Sequence, residues 1–420
     1  MKKVFSLSLA ILLLLTVCGC SFTSCAKAEE EVVTLYVYNW GEYISDGSDG
    51  SLDVNRAFEE YYSQKYPGKR VKVNYSTFSS NESMYAKVSS KSTAYDVIIP
   101  SDYMIERMVK EDLLLPLDMT KIPNYANVSP DFKGENVYYE GETNEIYSVP
   151  YFYGMIGVIY NTSIVDENDE QIGSWELMWD KDYKGNILQF NNSRDAFGTA
   201  MLYLGYDVNN ASEAEWNKAL DKLMEQKEFV QGYVMDEIFN KMQSGSAAVA
   251  AYYAGDYLSM YEDNSDLEFF YPKEGTNIYV DAMCVPKNAQ HPDIAMEYIN
   301  FMCETEIAVE NALYTYYASP LTTVQEDPDY QAGMAEVRED AIEILYGEMA
   351  QAAKNNENTQ AYLNLSTEGL ERLNLLWEQL KAKSRVGTGI YVGCAVILAA
   401  LVALVIYHVI RKRRWSKLYD

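Results

Sequence analysis

Short apolar runs broken by polar clusters set the rhythm of this chain, and their period switches repeatedly between two and about 3.6 residues. Leu35 to Tyr38 is β-branched and aromatic and predicts a strand that stops at Asn39-Trp40-Gly41-Glu42-Tyr43. Val54 to Tyr66 has helical spacing with Phe58 and Tyr62 on one side, Arg70 to Tyr75 alternates as a strand, and Met84 to Ser90 predicts a helix. Asp96 to Pro100 then reads as a buried strand and Met104 to Lys110 as a helix. A second series follows, with strands over Met155–Tyr160, Gly185–Phe190, Ala247–Tyr253 and Ile278–Val285. Its helices are expected over Arg194–Leu204, Glu213–Gln226, Asp236–Gln243 and Pro292–Cys303, Pro292 suiting a first turn. Strands alternating with helices predict mostly parallel sheets covered on both faces, and the two series predict two α/β lobes with a cleft between them.

Both ends fall outside that pattern. Lys2 and Lys3 precede an apolar run from Val4 to Val17, shorter than the ~20 residues that span a bilayer, so residues 1–28 read as a secretory signal. Two cleavage readings stand: Val17-Cys18-Gly19-Cys20 resembles a lipobox with Cys20 carrying the lipid, and Ala26-Lys27-Ala28 resembles an ordinary signal-peptidase site. After the expected last helix, Thr367–Lys383, residues 388–410 carry no charge and are long enough at ~1.5 Å per residue to cross a ~30 Å hydrocarbon layer. Arg411-Lys412-Arg413-Arg414 follows directly, so the positive-inside rule puts residues 411–420 in the cytoplasm and the lobes on the outer face of the cytoplasmic membrane.

Composition narrows the chemistry. The 34 basic and 62 acidic residues give a net charge of -28, which opposes a nucleic-acid partner. Bulk acidity favours a cationic ligand only weakly, because exposed charges are screened beyond ~8 Å. Thirty-seven tyrosines are the sharper signal, since a flat apolar face with a hydroxyl suits a ligand built of methylene and ammonium groups. Between signal and span the cysteines are Cys284 and Cys303, which rules out a disulfide-built scaffold and leaves one bridge or two inert thiols open. His291 is the one histidine there, so His-based catalysis and multi-His zinc sites are not expected.

Candidate site residues cluster where strands end. Ligands of open α/β sheets sit beyond the carboxyl ends of strands, which puts Trp40, Glu42 and Tyr43 at a cleft mouth. A carboxylate framed by two aromatic faces there suits an organic cation; the alternative for Trp40 is ordinary core. Ser101, Asp102 and Tyr103 sit at the same kind of junction.

Four segments together resemble the substrate-binding proteins of spermidine/putrescine ABC transporters: Leu35 to Tyr43, Tyr75 to Lys87, Tyr95 to Ser101, and Asp281 with its strand to Pro286. The resemblance runs from about Val33 to Leu321. It implies a two-lobed periplasmic-binding-protein fold of type II with an interlobe ligand cleft, here followed by a C-terminal transmembrane helix unusual for the family. It assigns 31–149 and 281–324 to lobe one, and 150–280 and 325–383 to lobe two. It implies a binding protein rather than an enzyme, with no cofactor or metal, a polyamine ligand and an ABC permease as partner. Family binding positions fall on Trp40 and Tyr43 flanking the ligand, Ser101 and Tyr103 at the second junction, Tyr253 and Tyr279 as aromatic walls, Asp281 as central carboxylate and Tyr317 as a further wall. Asn192 and Asp195 stand where some members have two ligand carboxylates, which should change how the far amine is held. The family's terminal glutamine contact has no counterpart we can assign.

Other readings remain open at this level. Asp281 and Glu42 could each cap a helix or turn, and Tyr103 and Tyr317 could be plain aromatics. The Tyr252-Tyr253 and Tyr316-Tyr317 pairs suggest a ferric site built from tyrosinates, although it lacks further hard ligands. A two-carboxylate glycan hydrolase has no located general acid. A membrane-held polyamine sensor would have the same pocket as a transport component.

Overall fold

A computed structural model describes residues 32–133 and 145–382. The expected signal with Cys20, the apolar span over 388–410 and the basic tail lie outside the described residues. Among those described, no helix is long and apolar enough to cross a membrane.

The strands are β1 (Val32–Trp40), β2 (Arg70–Phe78), β3 (Val97–Ile98), β4 (Ser148–Asn161), β5 (Ile187–Phe190), β6 (Val230–Val234), β7 (Val249–Tyr253), β8 (Leu267–Phe270), β9 (Asn277–Cys284) and β10 (Gln360–Ala361). The helices used below are α1 (Val54–Lys65), α2 (Asn81–Ser89), α3 (Asp102–Lys110), α4 (Ser193–Tyr203), α5 (Glu213–Lys227), α6 (Glu237–Gln243), α7 (Ala254–Asp263), α8 (Pro292–Met302), α9 (Thr305–Thr315) and α10 (Thr367–Ala382). The chain forms two compact units. Unit one takes the described residues up to Ile156 together with Tyr253–Ser265 and Ile278–Lys354; unit two takes Gly157–Tyr252, Asp266–Asn277 and the described residues from Asn355.

In unit one the strand order is β2-β1-β3-β9-β4. β1 runs parallel to β2 in continuous register from Val32↔Arg70 to Trp40↔Phe78, and parallel to β3. β9 enters antiparallel to β3 and to β4. The helices form for local reasons: Asp53 caps α1 by accepting from the Arg56 N–H, and Val54, Phe58 and Tyr62 give α1 one buried face. Ser80 caps α2 by accepting from the Ser83 N–H. Leu35, Val37, Val97, Ile98, Met84 and Met104 lie between sheet and helices as core. Burial of such side chains is the main favourable term in folding, about 1.5–3 kcal/mol for each of the large aliphatic ones.

In unit two, β5 pairs in parallel with β6 and β7, while the end of β4 pairs antiparallel with β8. α4 is capped by the Asn192 side chain and α5 by a reciprocal box between Ser212 and Glu215. α10 packs on α4 and α5.

The period reading found most long elements within a few residues. It missed helices α7 and α9 and strands β6, β8 and β10, the strands being short and α7 opening on Ala254-Gly255. It also stretched the strand around Ile98, which pairs over two residues only. Of the residues expected in lobe two, 150–156, 253–265, 278–280 and the helices from Pro328 to Lys354 fall in unit one, while α10 falls in unit two. The helices over Pro328–Leu345 pack on α7 inside unit one, where the Arg338 guanidinium donates to the Tyr257 hydroxyl.

Candidate functional site

The site in unit one is assembled by strand register. Ser101, just before α3, forms an antiparallel bridge with Asp281 of β9, and Phe152 of β4 lies opposite Asp281 on the other side. Residues 180 apart in sequence thereby become neighbours. The Ser101 hydroxyl donates to Asp281 Oδ1 at 2.6 Å, and the Tyr43 hydroxyl donates to Oδ2 at 2.8 Å.

Tyr43 is aimed by its backbone. The Gly41–Ser45 turn is pinned because the Tyr43 carbonyl accepts from the Tyr151 hydroxyl at 2.7 Å and from Asn39 Nδ2 at 3.3 Å. Asn311 completes the hold, donating to the Tyr151 hydroxyl at 2.9 Å and accepting from the Ser45 N–H at 2.9 Å. The Tyr43 ring then meets Tyr317, Phe152 and Tyr151 edge-on, with centroids 4.5, 5.3 and 5.5 Å away, an arrangement aromatic quadrupoles favour.

Asp281 is 5% exposed and both its hydrogen-bond partners are neutral hydroxyls. Among the described residues no lysine or arginine forms an ion pair with it. Burial pushes its pKa up to about 6, partly offset by the Ser101 and Tyr43 hydroxyls. Burial, and then the neighbouring Asp281 charge, hold the Tyr43 hydroxyl well above its ordinary value, so it stays a donor. The result is a buried carboxylate lacking a cation.

A second carboxylate in unit one escaped the sequence reading. Asp256, in the first turn of α7, accepts from the Tyr317 hydroxyl at 2.7 Å. Asp281 and Asp256 thus stand at the two ends of a Tyr43–Tyr317 ring pair. Tyr279 lies edge-on to Tyr253 at 5.3 Å. Two glycines admit these rings: a Cβ on Gly154 would stand 2.6 Å from the Tyr279 hydroxyl, and one on Gly255 would stand 2.8 Å from the Tyr317 ring. Gly255→Ala should therefore push Tyr317 off Asp256 and Tyr43, costing about 1–3 kcal/mol by overpacking. The expected result is a lower melting temperature together with weaker ligand binding, read by calorimetry.

The other expected residues divide. Tyr103 joins the Asp281 cluster through Asn81, which the sequence reading passed over as a contact; the Tyr103 hydroxyl donates to Glu82 at 3.1 Å. Trp40 ends β1 packed on Phe78 at 4.5 Å, half-buried, and its buried indole N–H has no hydrogen-bond partner among the described residues. Glu42 is exposed, with φ 47° in the left-handed region, so a charge there is screened by water. In unit two, Asn192 spends its side-chain oxygen on the Arg194 N–H, and Asp195 is buried in the first turn of α4. Cys284 and Cys303 are free, buried thiols, each with its pKa raised by burial, so the bridge left open by the sequence does not form.

The paired-tyrosinate reading does not fit this geometry. Successive strand residues face opposite ways, and Tyr252 stacks on Phe190 while Tyr253 meets Tyr279. Tyr316 and Tyr317 donate to different carboxylates, Glu262 and Asp256, and burial raises both phenol pKa values, which opposes tyrosinate formation.

Comparison with known proteins places the chain among solute-binding proteins rather than enzymes. A family model described as bacterial extracellular solute-binding protein matches residues 56–336. The chain is 30% identical over 288 residues to the spermidine/putrescine-binding periplasmic protein of Escherichia coli (strain K12), covering 68% of this chain and 77% of that one. Among solved structures it resembles a Listeria monocytogenes protein assigned to spermidine/putrescine ABC transport, at 33% identity and TM-score 0.69, covering 83% of this chain and 98% of the other. It also resembles the TpPotD lipoprotein of Treponema pallidum, at 25% identity and TM-score 0.65, covering 83% and 99%. This chain belongs to the bacterial extracellular solute-binding protein family, and its fold is that of the periplasmic binding proteins.

Proposed function

We propose that this protein captures a polyamine, spermidine or putrescine, outside the cytoplasm and delivers it to the permease of an ABC transporter. The observation that carries the reading is Asp281: a buried carboxylate with two hydroxyl donors, walls of aromatic rings and, among the described residues, no paired lysine or arginine. An ammonium group supplies the missing charge. The rings of Tyr43, Tyr317, Tyr279 and Tyr253 offer flat faces to the methylenes and to the charge, each desolvated cation–π contact contributing up to ~2 kcal/mol. Asp256 is suited to a second ammonium, Ser101 and Tyr43 to orienting the first carboxylate, and Tyr103 and Trp40 to walling the site. Asn192 and Asp195 are the contacts the family pattern assigns to unit two. The names of the relatives support the ligand class.

The same reading holds the protein at the outer face of the membrane. A signal within residues 1–28 exports it, the span over 388–410 anchors it, and processing at the lipobox would leave a lipid on Cys20, in keeping with the lipoprotein neighbour from Treponema pallidum. An anchor keeps the binding units beside a permease.

A thermal-shift screen of the purified full chain against diamines, triamines, amino acids, sugars and ferric ion tests the ligand class. Polyamines should raise the melting temperature; stabilisation by a sugar or ferric ion with none by any polyamine would overturn the reading. Trp40→Ala should weaken polyamine binding up to about 30-fold, the equivalent of one lost cation–π face of ~2 kcal/mol, as measured by titration calorimetry.

A further inference from the structure

We propose that Asn81 is a positioning residue for the cation site: its side-chain amide fixes the direction in which the Ser101 and Tyr103 hydroxyls donate, so that both protons point at carboxylates. This rests on the reading of Asp281 as the ammonium-binding group. Asn81 is 2% exposed at the first turn of α2. The Ser101 backbone N–H, which can only donate, points at Asn81 Oδ1 at 3.1 Å and so decides which way round the amide sits. The Nδ2 group then faces the Ser101 hydroxyl and the Tyr103 hydroxyl, each at 3.0 Å, and gives one proton to each.

A hydroxyl that accepts from Asn81 keeps its own single proton for another partner. Ser101 sends it to Asp281 at 2.6 Å and Tyr103 sends it to Glu82 at 3.1 Å. Without Asn81 the Ser101 hydroxyl is free to rotate away from Asp281. The surroundings of Asp281 make that donation matter. Near it are Tyr43 from the turn after β1, Tyr151 and Phe152 from β4, and Ser101 at the start of α3, with Tyr279 two residues along β9 beside Tyr43 and Asp102 accepting from the adjoining Val280 N–H. Tyr317 stands behind Tyr43 and Glu82 behind Tyr103. These groups are neutral or acidic, so hydroxyl donation is what favours the ionised form.

The test uses the ligand-free full chain. The pH at which the stability gap between the protein and its Asp281→Asn counterpart stops widening reports the folded-state Asp281 midpoint. In an Asn81→Ala background that midpoint should rise by about one pH unit, the scale of one hydrogen bond to a charged group. Ser101→Ala should raise it similarly, and adding Asn81→Ala to Ser101→Ala should move it no further, because the effect travels through that hydroxyl. The lower edge of the putrescine affinity profile should shift with it. A lower melting temperature with an unmoved midpoint would mean that Asn81 merely supports the fold, and overturns the proposal. If Asn81→Ala does not fold, Asn81→Asp keeps the shape, removes both donated protons and adds a negative charge; its midpoint must rise further still, and an unchanged value overturns the proposal equally. Loss of putrescine binding in every variant and in the unaltered protein would sink the ligand reading, while the ligand-free midpoint still decides the role of Asn81.

Discussion

Asp281→Asn should weaken polyamine binding by about 30-fold or more while raising the melting temperature of the ligand-free protein by a few degrees. Removing one partner of a buried charge pair costs about 2–5 kcal/mol, and 2 kcal/mol is about 30-fold in affinity. The opposite sign for stability follows from the ligand-free state. Burial lifts the Asp281 pKa from 3.8 to about 6, so at 1.36 kcal/mol per pH unit the ionised protein carries a cost of about 3 kcal/mol at neutral pH, as an upper bound. Asparagine removes the charge but keeps one acceptor for the Ser101 and Tyr43 hydroxyls, so it recovers part of that cost. Calorimetric titration and thermal melts of the same preparations check both signs. A variant that loses stability and keeps its affinity would show Asp281 to be a structural carboxylate.

Between pH 7 and pH 4 the affinity for putrescine should fall by about 100-fold, with most of the loss below pH 6. The ligand needs the carboxylate, and the proton competes for it. Once the pH drops below the free-protein value of about 6, each further unit costs about tenfold, provided the bound cation keeps the carboxylate ionised. Polyamine ammonium groups stay charged throughout this range, so the slope belongs to the protein. Ligand-free stability runs the other way: the folded-state pKa lies above the ordinary value, so this contribution is complete below about pH 4 and is lost as pH rises through about 6. Binding that stays flat from pH 7 to pH 4 would remove Asp281 from the ammonium contact.

How much of this was legible beforehand depends on the range of each interaction. The helices around Phe58 and Trp216, and strands such as β1 and β9, follow from periodicity and caps within a dozen residues. Trp40, Tyr43, Ser101 and Asp281 could be named as a set because the segments bearing them resemble a known family. Asn81 and Asp256 lay in plain view as residue types, yet one looks like a helix start and the other like an acid in a helix. Each becomes part of the site only through partners in other segments, Ser101 and Tyr103 for the first and Tyr317 for the second. The glycines that admit Tyr279 and Tyr317 are equally silent, since nothing near Gly154 or Gly255 in sequence says that a ring will lie over the missing side chain.

By itself, then, the sequence determined the alternation of strands and helices, the acidic and tyrosine-rich chemistry, and the residues on which a cation-binding reading could be built. Only the tertiary structure decided that the carboxylate at position 281 is buried beneath two hydroxyl donors, that Glu42 is exposed, and that the tyrosine pairs diverge. The physical reason is that periodicity and caps act between near neighbours. Desolvation and hydrogen-bond direction depend on every segment the sheet brings alongside, and Ser101 meets Asp281 only through the strand register.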